Sequence, residues 1–372
     1  MKEPFLEVTE RCVLYKNPKP QFRSRNGYFP GVALLPDGAL LALFTMGEAF
    51  ESADGTTVVS RSADNGKSWG LQGPICSRST AGYPVSDTMK PTALADGRVI
   101  AMGYRFDRRD PEKGIGNPET NGVLPGDLII SFSMDRGMNW TVPQVVSSRY
   151  PELVEVSGPC LQLRNGDLLA GGALLKRWDG TIPSGQRGVL LRSCDAGRTW
   201  DDGGIYFDTP GHAVSPFESR FCEMQDGRLV ALVWACDQDK GETLGNHVTV
   251  SRDNGRTWTA PQDTGVPAQS SHLIWLGGDR LLTIHAHRGK VSGLVVRLVS
   301  FSDDRWQVLD ESTIWAGCRS DDFTGLGDCS AAIRLGQPSL VALPDGDLLA
   351  VHWSIEDGQG MIRTHRLKSR GA

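Results

Sequence analysis

The chain has 372 residues, with 39 Lys plus Arg against 44 Asp plus Glu and a formal charge of −5. That length accommodates one large or two medium domains with a sizeable core, and the acidic balance excludes the basic surface of a nucleic-acid binder. With 39% hydrophobic and 22% charged residues the chain is not disordered, and 44 Gly beside 10 Trp point to a turn-rich β protein.

No apolar run reaches the ~18 residues of a membrane helix. The start, Met1-Lys2-Glu3-Pro4-Phe5-Leu6-Glu7, has no basic stretch followed by an apolar one. The eight cysteines, at 12, 76, 160, 194, 222, 236, 318 and 329, are scattered without a Cys-x-x-Cys, unlike a zinc knuckle or a disulfide framework. We expect a reduced, cytoplasmic protein that engages neither membrane nor nucleic acid.

The first predicted element is the β-rich stretch Leu6-Glu-Val-Thr-Glu-Arg-Cys-Val-Leu-Tyr15. A hairpin follows, Val32-Ala-Leu-Leu-Pro-Asp37-Gly38-Ala-Leu-Leu-Ala, and it returns at Asp96-Gly97, Asn165-Gly166, Asp226-Gly227 and Asp345-Gly346, with a weaker copy at Gly278-Asp279. Asp-Gly or Asn-Gly between apolar runs marks a hairpin, because Gly accepts the positive φ of the turn. Subtracting the turn positions 37, 96, 165, 226, 279 and 345 gives spacings of 59, 69, 61, 53 and 66. Each interval suits one four-stranded sheet with generous loops.

A second repeat follows the hairpins. It reads Ser62-Ala-Asp64-Asn-Gly66-Lys-Ser-Trp69 and recurs as Ser133 to Trp140, Ser193 to Trp200 and Ser251 to Trp258, with a shortened relic at Ser302-Asp303-Asp304-Arg305-Trp306. In Ser-x-Asp-x-Gly-x-x-Trp, Asp accepts backbone N–H bonds, Gly takes the left-handed conformation and Trp packs under the sheet. This motif is the Asp-box, and the chain resembles a sialidase-type, BNR-repeat β-propeller along nearly its whole length. The resemblance implies an all-β fold: a six-bladed propeller of four-stranded antiparallel blades, residues 1–372 forming a single domain. The last blade, about Leu335 to Leu367, lacks a strand, which the N-terminal stretch is expected to supply, closing the ring and removing free sheet edges.

In such a blade the Asp-Gly turns and Asp-boxes share one face. The starts of inner strands, the ends of second strands and the loops after them share the other, where propellers of this kind hold their pocket. The Asp-box aspartates are therefore read as structural. On the pocket face, Ser215-Pro-Phe-Glu218-Ser-Arg220 opens blade 4, and Glu218 matches the Glu that in sialidases is base partner to a nucleophilic Tyr. A buried carboxyl at a channel mouth suits proton transfer. Arg220, two residues on, shares its strand face and serves as ion partner or substrate clamp.

The remaining sialidase apparatus departs. That family grips the sugar carboxylate with three arginines. Where the first is expected the chain reads Tyr28-Phe29-Pro30, and where the second is expected it reads Leu232-Val-Trp234-Ala. The place of the nucleophilic Tyr reads Leu335-Gly336-Gln337-Pro338-Ser339. Cleavage of sialic acid by the family mechanism is not expected. For the acid/base role, Glu48, Glu51 and Asp54 compete in the loop Gly47 to Gly55; Asp54 best fits the spacing to Ser62, and Glu48 the end of the strand. Either one facing Glu218 makes a glycosidase carboxylate pair, whose separation sets retention or inversion.

Substrate contacts are expected from Tyr28, Asp87, Arg105, Trp178, Arg220, Trp234, Gln337, His285, His287 and His352, beside the catalytic candidates Glu218, Glu48 and Asp54. Arg105 suits an acidic sugar, while the tryptophans stack on sugar faces or fill space between blades. His285 and His287 share a strand face and with His352 offer a metal site or a base beside a uronate. Zinc-like spacing is lacking, so neither a metal nor a cofactor is expected. The Gly/Pro-rich insertion from Asp110 to Gly126 is expected over the pocket or at an oligomer contact. The expected activity is glycoside hydrolysis of a non-sialic or acidic sugar. The alternatives are a lyase with a His base and a non-catalytic glycan-binding propeller.

Overall fold

The apolar runs beside the Asp-Gly turns become strands, and many are buried along their whole length. Leu40–Gly47 and Leu229–Asp237 expose no residue, as befits strands covered on both faces by neighbouring sheets. The structure, a computed structural model, describes residues 5–76, 81–288, 292–317 and 333–369.

Six antiparallel sheets follow one another in chain order. Blade 1 is Asn26–Leu34, Leu40–Gly47, Thr56–Ser62 and Gly70–Pro74. Blade 2 is Val85–Ala93, Val99–Asp107, Gly126–Ser133 and Gln144–Val145. Blade 3 comprises Leu168–Leu174, Gly188–Ser193 and Asp201–Phe207, with an inner strand broken into Val154–Glu155 and Leu161–Gln162. Gly158 and Pro159 lie in the break, where a strand ladder is hard to continue. Blade 4 is Ser215–Glu223, Leu229–Asp237, Glu242–Ser251 and Gln262–Asp263. Blade 5 is Ser271–Gly277, Arg280–His287, Gly293–Ser302 and Arg305–Ala316. Blade 6 is Leu335–Ala342, Leu348–Glu356 and Gln359–Ser369, and Leu6–Tyr15 pairs antiparallel with the last of these. The N-terminal strand thus closes the ring.

Each Asp-box holds itself and grips the blade before it. In blade 1, Gly66 N donates to Ser62 Oγ at 2.9 Å, Ser68 N to Asp64 Oδ1 at 2.9 Å, and Trp69 Nε1 to the Gly66 carbonyl at 3.0 Å. The other three boxes repeat the pattern. Hydrogen bonds from Ser68, Asn139 and Thr199 hold Asp64, Asp135 and Asp195 down at about 2, which leaves the four boxes structural as expected. The box glycines sit at φ +82 to +88. They press on a Leu or Ile of the preceding blade: Gly66 on Leu349, Gly137 on Leu41, Gly197 on Ile100 and Gly255 on Leu169.

Three inner strands carry a bulge at the same height. The register shifts between Tyr28 and Gly31, between Phe217 and Arg220, and between Gly336 and Ser339. Within these bulges Phe29, Glu218 and Gln337 have φ of 53, 50 and 39°. A bulge bends its strand and re-aims a side chain, and a left-handed residue other than Gly stores about 1–3 kcal/mol of strain.

Gly137→Ala places a Cβ 2.8 Å from Leu41 at φ +86, whereas Gly38→Ala, at φ +81, meets nothing within 4 Å. Both lose stability to the left-handed backbone, by about 1–3 kcal/mol. The first should lose more in denaturant unfolding, and equal losses would remove the inter-blade grip from the account.

Candidate active site

The bulges and second-strand ends meet around a cavity of about 160 Å³ on the face away from the Asp-boxes. Its aromatic wall includes Phe29, Phe50, Tyr104, Phe106, Phe217 and Trp234. Its charged wall comprises Glu51, Asp87, Glu155, Glu218 and Arg288. Ile115, Gly116 and Val123 of the insertion close one side, so the insertion does lie over the pocket.

Glu155 and Glu218 are neighbours from adjacent blades. Glu218 N reaches Glu155 Oε2 at 3.4 Å, and the two residues are 7% exposed each. Burial and the Glu218 charge push the Glu155 carboxyl up to about 8, against the hydrogen bond from the Glu218 N–H and the Arg220 guanidinium. Glu218 Oε2 is buried without a hydrogen-bond partner, and Arg288 Nη2 stands 3.7 Å away. Arg288 is anchored by Nε to the Leu335 carbonyl and by Nη2 to Ser270 Oγ, and its guanidinium lies 5.6 Å from the centre of the Trp234 ring.

Beneath the wall, Lys90 and Arg220 complete the charge cluster. Lys90 Nζ donates to the Phe29 carbonyl, fixing the blade 1 bulge. Burial, then Arg220, lowers the Lys90 ammonium well below its usual range, although Glu218 and Glu155 oppose them. Arg220 Nη1 donates to the carbonyls of Glu218 at 3.1 Å and Ser219 at 2.9 Å, bracing the blade 4 bulge. Burial raises the Tyr104 phenol well above its usual range, with Glu155 and Glu218 adding to the effect. It also raises the carboxyls of Glu51 and Asp87.

Of the residues singled out in the sequence, Glu218, Asp87 and Trp234 reach the cavity wall. The blade 1 loop turns Glu51 into the wall, while Glu48 and Asp54 are exposed. Asp54 Oδ1 instead accepts Glu48 N at 3.0 Å, closing the loop on itself. Tyr28 is buried behind the wall against Phe50 and Trp353, and its neighbour Phe29 takes the wall position. Arg105 is paired with Asp127 at 2.8 Å. Trp178 lies under Lys113 beside a second cavity of about 400 Å³. Gln337 is buried with its N donating to Ser270 Oγ.

The three histidines do not converge. His285 bonds Asn246 and Thr283, His287 meets Arg297 at 3.2 Å, and His352 stacks on His365 with their Nε2 atoms 3.0 Å apart. Among the described residues no group of three or more His, Cys, Asp or Glu is placed to hold a metal ion. Glu155, Tyr104 and Arg288 are not among the candidates read from the sequence, and Glu51 stood there only as a competitor of Glu48 and Asp54. The signal for Glu155 was an acid between two valines, Val154-Glu155-Val156, in a stretch otherwise suited to a buried strand.

A family model described as a BNR repeat-like domain matches residues 127–349, more than half of the chain. The chain belongs to that family. A sialidase of Micromonospora viridifaciens is 25% identical over 360 residues, covering 92% of this chain and 51% of the relative. The chain thus spans about half the length of that curated relative. Among solved structures, a protein of unknown function from Dyadobacter fermentans superposes with a TM-score of 0.75 at 20% identity, covering 99% of this chain and all of its own. The α-L-arabinanase of Penicillium chrysogenum, complexed with arabinobiose, gives 0.64 at 15% identity, with 97% and 98% covered. The Trypanosoma rangeli sialidase gives 0.64 at 14% identity, with 96% and 59% covered. At these identities the structural likenesses establish the fold.

The raised Glu155 carboxyl makes folding pH-dependent. The unfolded chain releases this proton near 4.5 and the folded one near 8, so the native state loses stability progressively across that window. Glu155→Gln removes the loss. The melting temperature of the variant relative to wild type should rise by several degrees between pH 5 and pH 8.5; a difference that stays constant or shrinks would contradict the assignment.

Proposed function

We propose that the protein is a glycoside hydrolase that uses Glu155 and Glu218 as its carboxyl pair. The observation that carries this reading is the placement of two buried carboxyls in one cavity wall, the Glu218 N–H donating to Glu155 Oε2 at 3.4 Å, with Glu155 at about 8 and hence protonated at neutral pH. Two carboxyls whose environments differ are the arrangement that glycoside hydrolysis requires. Glu155 donates its proton to the glycosidic oxygen as the bond from that oxygen to the anomeric carbon breaks. Glu218 faces the positive charge that develops on the anomeric carbon. Water supplies the oxygen that bonds to this carbon, and its proton returns the carboxyl pair to its starting state.

The aromatic wall supports a carbohydrate substrate, since Phe29, Phe50 and Trp234 offer apolar faces for a sugar ring. The relatives support it as well: one is named a sialidase and another an α-L-arabinanase, complexed with arabinobiose. Sialic acid itself fits poorly. The stretch Tyr28-Phe29-Pro30 of blade 1 holds no arginine, and Leu335-Gly336-Gln337-Pro338-Ser339 of blade 6 holds no tyrosine, where the resemblance to sialidases calls for them. A lyase reading is disfavoured because His285, His287 and His352 are held in hydrogen bonds away from the cavity.

The purified protein should release a sugar from a member of a mixed glycoside panel, with a product mass increased by one water and no new ultraviolet absorbance. On that substrate Glu155→Gln and Glu218→Gln should each lower kcat by about 10²–10⁴-fold. An unsaturated, absorbing product, or wild-type rates in both variants, would overturn the reading.

A further inference from the structure

The polar atoms of the cavity wall indicate what it accepts. Ser86 Oγ, Thr88 Oγ1 and Glu218 Oε2 are all buried without a hydrogen-bond partner, and all three residues line the cavity. Buried polar atoms are nearly always satisfied, so three such atoms on one wall mark where a ligand's donors and acceptors go. Each accepts from a hydroxyl, and the Ser and Thr hydroxyls also donate.

Charge narrows the class further. Glu51, Asp87, Glu155 and Glu218 face the cavity, and among the described wall residues the only cation is Arg288. That guanidinium is committed within the protein, to the Leu335 carbonyl at 2.8 Å, to Ser270 Oγ at 3.1 Å and to Glu218 at 3.7 Å. Glu218 already faces that cation, so a ligand carboxylate would enter a desolvated site with no other cation among the described wall residues to match it. Burial already raises the carboxyls of Glu51 and Asp87, which favours their neutral, hydrogen-donating forms, suited to hydroxyls.

Size sets the length of chain that fits. The cavity, about 160 Å³, is smaller than the ~300–1,000 Å³ of pockets for drug-sized ligands. The insertion blocks its blade 2 side and is pinned there: Ile115 N donates to Glu51 Oε2 at 3.0 Å, and Arg108 Nη2 to the Glu51 carbonyl at 2.8 Å.

We propose that the cavity takes one terminal, uncharged sugar ring, so that the enzyme acts from chain ends on neutral glycans. This rests on the hydrolase reading, and the test separates the two. Wild-type protein is assayed on aryl glycosides matched at all positions but the sixth carbon, glucoside against glucuronide and galactoside against galacturonide, together with an arabinoside and a sialoside. The corresponding free sugars are titrated in parallel by ligand-observed NMR. A neutral glycoside should lead its charged counterpart by at least about tenfold in kcat/KM, and neutral oligosaccharides should yield monosaccharide alone. A preference for uronide or sialoside, or release of oligosaccharides from the chain interior, overturns the inference while leaving the hydrolase reading intact. Should no glycoside be cleaved, the hydrolase reading fails and binding decides: saturation by a neutral monosaccharide over its uronate supports the inference, and preference for the uronate, or no binding of any sugar, overturns it.

Discussion

Six inner strands must approach one axis, and strands that converge cannot all stay regular to their ends. In blades 1, 4 and 6 the solution is a two-residue bulge with a left-handed residue, and in blade 3 it is a break around Gly158. These departures leave the ladder and turn Phe29 and Glu218 into the cavity, with Glu155 at the edge of the break. The strain they carry is held by specific contacts from neighbouring blades. Lys90 holds the Phe29 carbonyl, Arg220 the Glu218 and Ser219 carbonyls, and Ser270 the Gln337 N–H. A bulge of this kind survives only where the surrounding structure over-determines it. The closed ring, with its Asp-box glycines set against the preceding blades, supplies that rigidity.

The same convergence concentrates charge. Glu155, Glu218, Lys90 and Arg220 are all buried within a short reach of the axis. Burial acts against every charged form, so it lifts the carboxyl of Glu155 and lowers the ammonium of Lys90. Apolar side chains in the same places would avoid that loss of solvation. A cluster of this kind therefore costs stability, and it is intelligible as the machinery of proton transfer. The four Asp-box aspartates make the contrast. They sit near the surface, accept local hydrogen bonds and have their carboxyls lowered, the mark of turn-forming acids.

The fold was legible because it is written in local chemistry. Asp-Gly turns, the Ser-x-Asp-x-Gly-x-x-Trp boxes and the spare N-terminal strand each act through neighbours a few residues away or through one strand pairing. The site was legible only where a motif marked it. Glu218 stands a fixed eight residues before the Asp226 turn, and Asp87 and Trp234 lie at strand ends of known face. Glu155 escaped because the break in blade 3's inner strand changes the spacing to its turn. In the blade 1 loop three acids lie within seven residues, and which of them turns inward depends on Asp54 capping Glu48 N and on Ile115 of a distant insertion reaching Glu51. Sequence distance carries no information about such contacts. The histidines misled for a similar reason: two on one strand face share a direction, but Asn246, Thr283 and Arg297 were already there to receive them.

Glu155 is a protonated acid because it is buried and the charge of Glu218 lies beside it. An isotope-edited infrared titration of the Glu155 carboxyl stretch in wild-type protein and in Glu218→Gln reads that directly, without a substrate. The account predicts a midpoint near 8 in wild type and a lower one once the Glu218 charge is removed. A Glu155 already ionised at pH 6, or a midpoint indifferent to Glu218, would contradict it.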